Sequence, residues 1–223
     1  MTFTRAESYT TPRPDLLPLL PPTARRVLDV GCSNGAFGAD VKRRLGSTVV
    51  GIEIDPGFAS EAAQRIDRVV CDDALVALAE LRDERFDCIV CADVLEHLVD
   101  PDAVLTALTG LLSPRGTVVV SLPNVRFYDT FVQLGVRGRW PERDRGVHDR
   151  THLRWFTDAN ARALFHRAGL HVVRSSVNYR LRDRPDARIN RFAPRVARGP
   201  LRPFLAYQLL YALAADDTSA PGA

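Results

Sequence analysis

Between residues 26 and 121, short runs rich in Val and Ile alternate with stretches of helical periodicity, and no other feature restricts the fold so strongly. The segments "RVLDV" (26–30), "TVVGIEI" (48–54), "RVVC" (68–71), "FDCIVCA" (86–92) and "TVVVSL" (117–122) read as strands. The stretches "AFGADVKRRL", "FASEAAQRI", "ALVALAELR" and "DAVLTALTGLL" read as the helices between them. The strands are unbroken apolar runs, which is what a parallel sheet covered by helices on both faces requires. The expected fold is therefore α/β, a doubly wound and mostly parallel sheet. A chain of 223 residues, 46% of them hydrophobic, can bury the core of one such domain, 1–223.

After Pro123 the pattern changes. A polar, Gly- and Arg-rich insertion (124–156) precedes a helix "TDANARALFHRAG", with Thr157 as its cap, and a strand "LHVVRSSV". Insertions of this length usually form lids or binding loops. "SPRG" (113–116) reads as a stop and turn, "PLRPFLAYQLLYALAA" as a final apolar helix, 1–24 as an N-terminal arm and 216–223 as a disordered tail.

No apolar run is long enough to cross a bilayer and the first residues lack the layout of a secretion signal, so a cytoplasmic protein without membrane spans is expected. Cys32, Cys71, Cys88 and Cys91 read as buried reduced thiols, the C-x-x-C pair falling mid-strand where side chains diverge. Arg137 to Arg202 contains 17 arginines against six acidic residues. With acids interspersed and few neighbouring aromatics, this reads as a solvated surface more than a nucleic-acid footprint.

"VLDVGCSNGAFG" (27–38) is a strand, a turn with Gly31 and Gly35, and a helix start, an arrangement that offers free backbone N–H groups to a ligand. Glu53 stands where doubly wound folds place an acid against ribose hydroxyls, and Asp72 and Asp73 end the third strand near an adenine edge. A dinucleotide fingerprint would need glycine at Ser33. "ADVLEHLVDP" (92–101) follows the fourth strand, and the spacing of Asp93, Glu96 and His97 predicts that all three share one helical face. "HDRTH" (148–152) imitates a zinc-protease helix, but it follows a Gly/Arg-rich loop and lacks a further ligand.

With "LDVGCSNG", "GIEIDP", "DVLEHLVDP" and "LSPRGTVVVSLPN" in this order, residues 25–175 resemble class I S-adenosylmethionine-dependent methyltransferases, in the ubiquinone-type and sugar O-methyltransferase branch. The resemblance implies a seven-stranded Rossmann-like sheet and S-adenosylmethionine as methyl donor. Its cofactor residues would be Asp29, Gly31, Cys32, Gly35, Glu53, Ile54, Asp72, Asp73, Ala74 and Ala92. Asp93, Glu96 and His97 would hold magnesium. His148 would be the general base, Asp149 would orient it, and His152 would touch substrate or metal. Ser33 departs from the family's commonest glycine, with a modest effect expected on the turn.

The acceptor implied is a small polar molecule, a sugar or oligosaccharide hydroxyl, and a homodimer is compatible. Three rivals are a phenolic or quinone precursor, marked by an apolar pocket or a membrane-contacting helix, a nucleic acid, and a cofactor-binding module without catalysis.

Overall fold

A seven-stranded sheet in the order β3-β2-β1-β4-β5-β7-β6 organises the chain in a computed structural model that describes residues 13–182 and 187–216. The strands are β1 (Arg26–Val30), β2 (Thr48–Ile52), β3 (Arg68–Val70), β4 (Phe86–Ala92), β5 (Leu112–Pro123), β6 (Leu170–Tyr179) and β7 (Ala206–Ala215). The first five pair in parallel, and β7 runs antiparallel to both β5 and β6. Helices α1 (Ala36–Leu45), α2 (Pro56–Ala62), α3 (Ala74–Glu80) and α4 (Pro101–Gly110) cross between the parallel strands. Helix α5 (Tyr128–Phe131) starts the insertion, and α6 (Asp158–Arg167) precedes β6.

The crossover helices stop and start where their sequences dictate. Asp55, Asp73, Asp100 and Thr157 each accept backbone N–H groups of the turn they begin, and α1 ends at Gly46 in the left-handed conformation. Helices cover both sheet faces and make two cores. Leu28, Ile52, Ile89, Leu105 and Val120 belong to one, and Val27, Val49, Cys88, Val90 and Val119 to the other. Cys88 and Cys91 thus face opposite layers, and all four thiols are free. Cys71 departs from the expectation of buried thiols, because β3 ends one residue before it and leaves it exposed.

The C-terminal segment corrects the sequence reading. Residues 206–215 are a strand, not an apolar helix, wedged between β5 and β6 with registers such as Val119↔Ala212 and Ser176↔Leu210. Leu209, Tyr211 and Leu213 enter one core while Leu210 and Ala212 enter the other. A strand buried on both faces needs an unbroken apolar run, so its periodicity matches that of a buried helix, and burial outweighed the helical preference of Ala and Leu. "SPRG" is likewise no simple turn: Phe86 pairs with Leu112 and Cys88 with Thr117, so residues 113–116 bulge out of β5, with Arg115 left-handed.

Two segments outside the alternating pattern reach the carboxyl edge of the sheet. In the N-terminal arm, Leu16, Leu19 and Leu20 are buried in the second core. The insertion closes on itself, with Val125 N–H donating to Phe156 O at 2.9 Å, and Asn124 Nδ2 ties it to Pro203 O and Ala206 O. Residues 217–223 of the expected tail lie outside the described residues. Asp216, just before them, bonds to Gly169 O and His171.

Candidate active site

In a doubly wound sheet the ligand crevice opens where neighbouring strands send their crossovers to opposite sides, here between the carboxyl ends of β1 and β4. The turn after β1 fills one wall. Gly31 and Gly35 have φ of 69° and 75°, a conformation that penalises any Cβ. A Cβ on Gly31 would lie 2.5 Å from Val94 Cγ2, and one on Gly35 2.9 Å from Ala62 Cα. Ser33 takes the same left-handed conformation at φ 48° without being glycine. Its N–H donates to Glu53 Oε2 at 2.8 Å, while Asp55 N–H donates to Glu53 Oε1 at 2.9 Å. The strain at Ser33, on the order of 1–2 kcal/mol, is offset by that charge-assisted bond.

Glu53 therefore braces the turn across β2. Asp29 sits beneath it, almost fully buried, with Oδ2 unpartnered among the described residues. Burial first, and the charge of Glu53 second, push the Asp29 carboxyl up to about 7. Burial raises the Cys32 thiol far above its usual range, which disfavours the thiolate form. At the outer end of the crevice Ile54 is 68% exposed, an apolar surface beside the sheet edge. Asp73 spends its side chain as the cap of α3, and Asp72 Oδ1 accepts Asp73 N–H at 2.7 Å. Ala74 is the first residue of α3 and Ala92 the last of β4.

The other wall departs from the expected geometry. Asp93, Glu96 and His97 do not share a helical face: Asp93 is left-handed at φ 56°, and only Leu95–His97 forms a single 3-10 turn. The left-handed Asp93 interrupts the helical path just before this turn, and Val94 packs beside Gly31. The Asp93 carboxylate is taken up by Arg13 Nη1 at 2.6 Å, Gln208 Nε2 at 2.6 and 2.8 Å, and Ser121 Oγ at 3.0 Å. Burial would lower the pKa of the Arg13 guanidinium, but Asp93 and Asp15 outweigh it and raise it. None of these three partners carries a sequence signal. They come from the arm, β5 and β7, and only the sheet order makes them neighbours.

Glu96 and His97 instead meet His152. Leu153 N–H and Arg154 N–H both donate to the Glu96 carbonyl, at 2.8 and 3.0 Å, which draws the end of the insertion over the turn. The three side chains offer ligand atoms all within 4.8 Å of one another. His152 Nε2 lies 4.0 Å from Glu96 Oε1, and the two imidazole rings meet edge to face at 4.8 Å. Glu96 is 1% exposed and its Oε2 has no partner among the described residues. Burial, then the charge of Asp93, raises its carboxyl well above the usual carboxylate range. Burial, then His97, lowers the His152 imidazole, so it is neutral near pH 7.

The rest of "HDRTH" divides between two places. Asp149, expected to orient His148, has its Oδ1 accepting Thr151 N–H at 2.9 Å and Thr151 Oγ1–H at 2.7 Å. Thr151 Oγ1 in turn stands 3.1 Å from His97 Nδ1, so Asp149 acts on His97 through a hydroxyl. His148, 1% exposed, is held inside the insertion, with Nε2 3.1 Å from Thr130 Oγ1, Nδ1 3.9 Å from Asp129 Oδ2, and the edge of Trp140 against its ring.

A glycine turn braced by an acid on the next strand, beneath the carboxyl edge of this sheet order, defines the methyltransferase class. The family model described as "Methyltransferase domain" matches residues 4–175, and the chain belongs to this family. A S-adenosylmethionine-dependent methyltransferase from Archaeoglobus fulgidus superposes with a TM-score of 0.64 at 18% identity, over 96% of this chain and 95% of that one. The chain is 33% identical over 169 residues to a ubiquinone biosynthesis O-methyltransferase of Cereibacter sphaeroides, covering 71% of this chain and 65% of that protein. It is 38% identical over 112 residues to one of Paracidovorax citrulli, covering 48% and 47%. It thus spans less than two thirds of the length of these relatives.

Proposed function

We propose that the chain transfers the methyl group of S-adenosylmethionine to a hydroxyl oxygen that docks at Glu96, His97 and His152. The observation that carries this reading is the convergence of that trio on the segment whose Val94 packs against the Gly31 turn, so that acceptor chemistry adjoins the cofactor turn. The reaction is an in-line displacement: an oxygen lone pair forms the new C–O bond, the C–S bond electrons return to sulfur, and the hydroxyl proton passes to the His152 Nε2 lone pair and on to solvent. Alignment supplies much of the rate. A neutral imidazole with its lone pair directed at the site weakens the hydroxyl proton, and His152 has that form where His148 is bonded within the insertion.

A phenolic acceptor accords best with the relatives named above and with the apolar outer face of the insertion, where Phe131, Leu134 and Val136 are exposed. A sugar hydroxyl is the second reading. It is favoured by an open groove beside the trio, in which half-exposed Trp155 is flanked by Asp100, Asp102, Asn160 and Arg154.

Magnesium fits the trio poorly. That ion favours several oxygen ligands, and the nearest second carboxylate, Asp93, is already satisfied by Arg13, Gln208 and Ser121. No step is therefore assigned to magnesium. The test is incubation of purified protein and S-adenosylmethionine with matched panels of catechols, simple phenols and sugars, followed by mass spectrometry. Methylated phenols are expected. Methylation confined to sugars would replace the acceptor class, and binding of the donor with no product in any panel would remove the enzymatic reading.

A further inference from the structure

The imidazole hydrogen bonds at the trio decide what it can hold. His97 Nδ1 lies 3.2 Å from the Thr151 carbonyl, and His152 Nδ1 lies 3.3 Å from the Val147 carbonyl. A carbonyl oxygen only accepts, so both Nδ1 atoms carry a proton, and in the neutral form of each ring the lone pair is on Nε2. An imidazole whose rear N–H is fixed by a backbone carbonyl is oriented as histidine is when it ligates a metal through its other nitrogen. Asp149, through Thr151, adds a carboxylate behind His97. Glu96 completes the group, buried and with one oxygen unpartnered among the described residues.

Resting on the reading that the acceptor docks here, we infer that Glu96, His97 and His152 bind a borderline divalent transition ion such as Zn2+, Co2+ or Fe2+, with Asp93 outside the ligand set. Two imidazole nitrogens and one carboxylate make a three-ligand set that leaves positions open, and imidazole selects such ions over magnesium. Ligands about 2.1 Å from an ion at tetrahedral angles stand about 3.4 Å apart. The 4.0–4.8 Å separations therefore close by about an ångström on binding. The ion would also compensate the buried Glu96 Oε2, which has no hydrogen-bond partner among the described residues, since Arg13 is already shared by Asp15 and Asp93. A bound ion of this kind would act as a Lewis acid on an oxygen at its open positions, and with the His152 Nε2 lone pair engaged as a ligand it would acidify the hydroxyl in place of His152, the proton then passing to solvent.

The experiment is Co2+ titration of the metal-stripped full-length protein, read by visible absorption and by metal content after dialysis. One ion per chain is expected, unaffected by a large excess of Mg2+. His152→Ala and His97→Gln should each weaken Co2+ binding by a factor on the order of 100 or more, and Asp93→Asn by less than about tenfold. Circular dichroism of each variant separates ligand loss from unfolding, and the two histidine variants lie on different segments. Absence of a Co2+ spectrum, displacement by equimolar Mg2+, or loss in Asp93→Asn with retention in His152→Ala would overturn the inference. The same samples are assayed for methyl transfer. Undiminished transfer by the metal-stripped protein in chelator rejects the metal and leaves the methyltransferase reading. Stoichiometric metal without transfer to any panel does the reverse.

Discussion

The two walls of the crevice are built by opposite means. The Gly31–Gly35 wall is local: a strand, a turn and a helix in unbroken sequence, braced by one residue from the neighbouring strand. The Asp93–His97 wall is assembled from five separate stretches: the arm through Arg13, the β4 turn, Ser121 of β5, the insertion from 149 to 154, and Gln208 of β7. A generic donor can be held by a motif that sequence alone specifies. A particular acceptor needs side chains that only tertiary structure collects.

That contrast predicts that damage to the local wall costs the fold, whereas damage to the assembled wall costs the reaction. Gly35→Val should show the largest effect. It forces a β-branched residue to φ 75° and drives its Cβ to 2.9 Å from the Ala62 backbone, which cannot yield as a side chain would. Conformational strain and overpacking together are expected to remove about 3–4 kcal/mol, measured by urea denaturation, with donor binding lost as well. A stable variant with normal donor affinity would dissolve the distinction between the walls.

His152→Ala and His148→Ala test the assembled wall next. With the reaction centred on the trio, His152→Ala should reduce turnover by a factor on the order of 100, with donor affinity little changed. His148→Ala empties a position inside the insertion and should act first on stability, raising the acceptor KM before it lowers kcat. A larger fall of kcat in His148→Ala than in His152→Ala would return the base to His148.

The sequence made these walls unequally legible. Parallel strands, caps and glycines are properties of short segments, so β1 to β5 and their helices could be read directly. The ends differed by one to five residues: Glu53 and Cys71 fall just outside their strands, α2 stops at Ala62 short of the expected Ile66, and β5 begins at Leu112 ahead of the expected Thr117. Residues 206–215 could not be read, since a strand buried on both faces and a buried helix show the same apolar run. In the site, Glu96 and His97 were visible as a motif. Their third companion was ambiguous, because Asp93 is nearer in sequence while His152 is brought over by two backbone bonds to Glu96. Arg13 and Gln208 had no signal, because neither belongs to a pattern until β7 enters the sheet beside β5.

Asp29 gives the local wall a pH signature of its own, alongside the one that the raised Glu96 carboxyl gives the other wall. Its folded pKa, about 7, lies above the ordinary 3.8, so across that interval the folded protein keeps a proton that the unfolded chain has lost. Stability of the donor-free protein should therefore fall as pH rises from 4 to 7, by at least about 1 kcal/mol from this group. Asp29→Asn should remove that share of the slope and leave the share of Glu96. Identical pH profiles for the two proteins would mean that Asp29 is ionised at low pH and that burial costs it little.

The smallest change expected is that of Arg13→Ala, and it sharpens the comparison most finely. The arm contributes both apolar packing and this guanidinium, so removing only the guanidinium separates anchoring from chemistry. Asp93 would keep Gln208 and Ser121 as donors, and its side chain is 36% exposed, so water can replace part of the lost contact. A loss of about 1 kcal/mol is expected, well below that of a fully buried pair. A double-mutant cycle with Asp93→Asn isolates the pair itself. The chemical consequence should exceed the thermodynamic one: with its cation gone, Asp93 becomes an available hard oxygen beside Glu96. Mg2+ should then compete with Co2+ in Arg13→Ala where it does not in the parent protein. Arg13 would thereby determine which ion the assembled wall accepts, by occupying the carboxylate that magnesium would need.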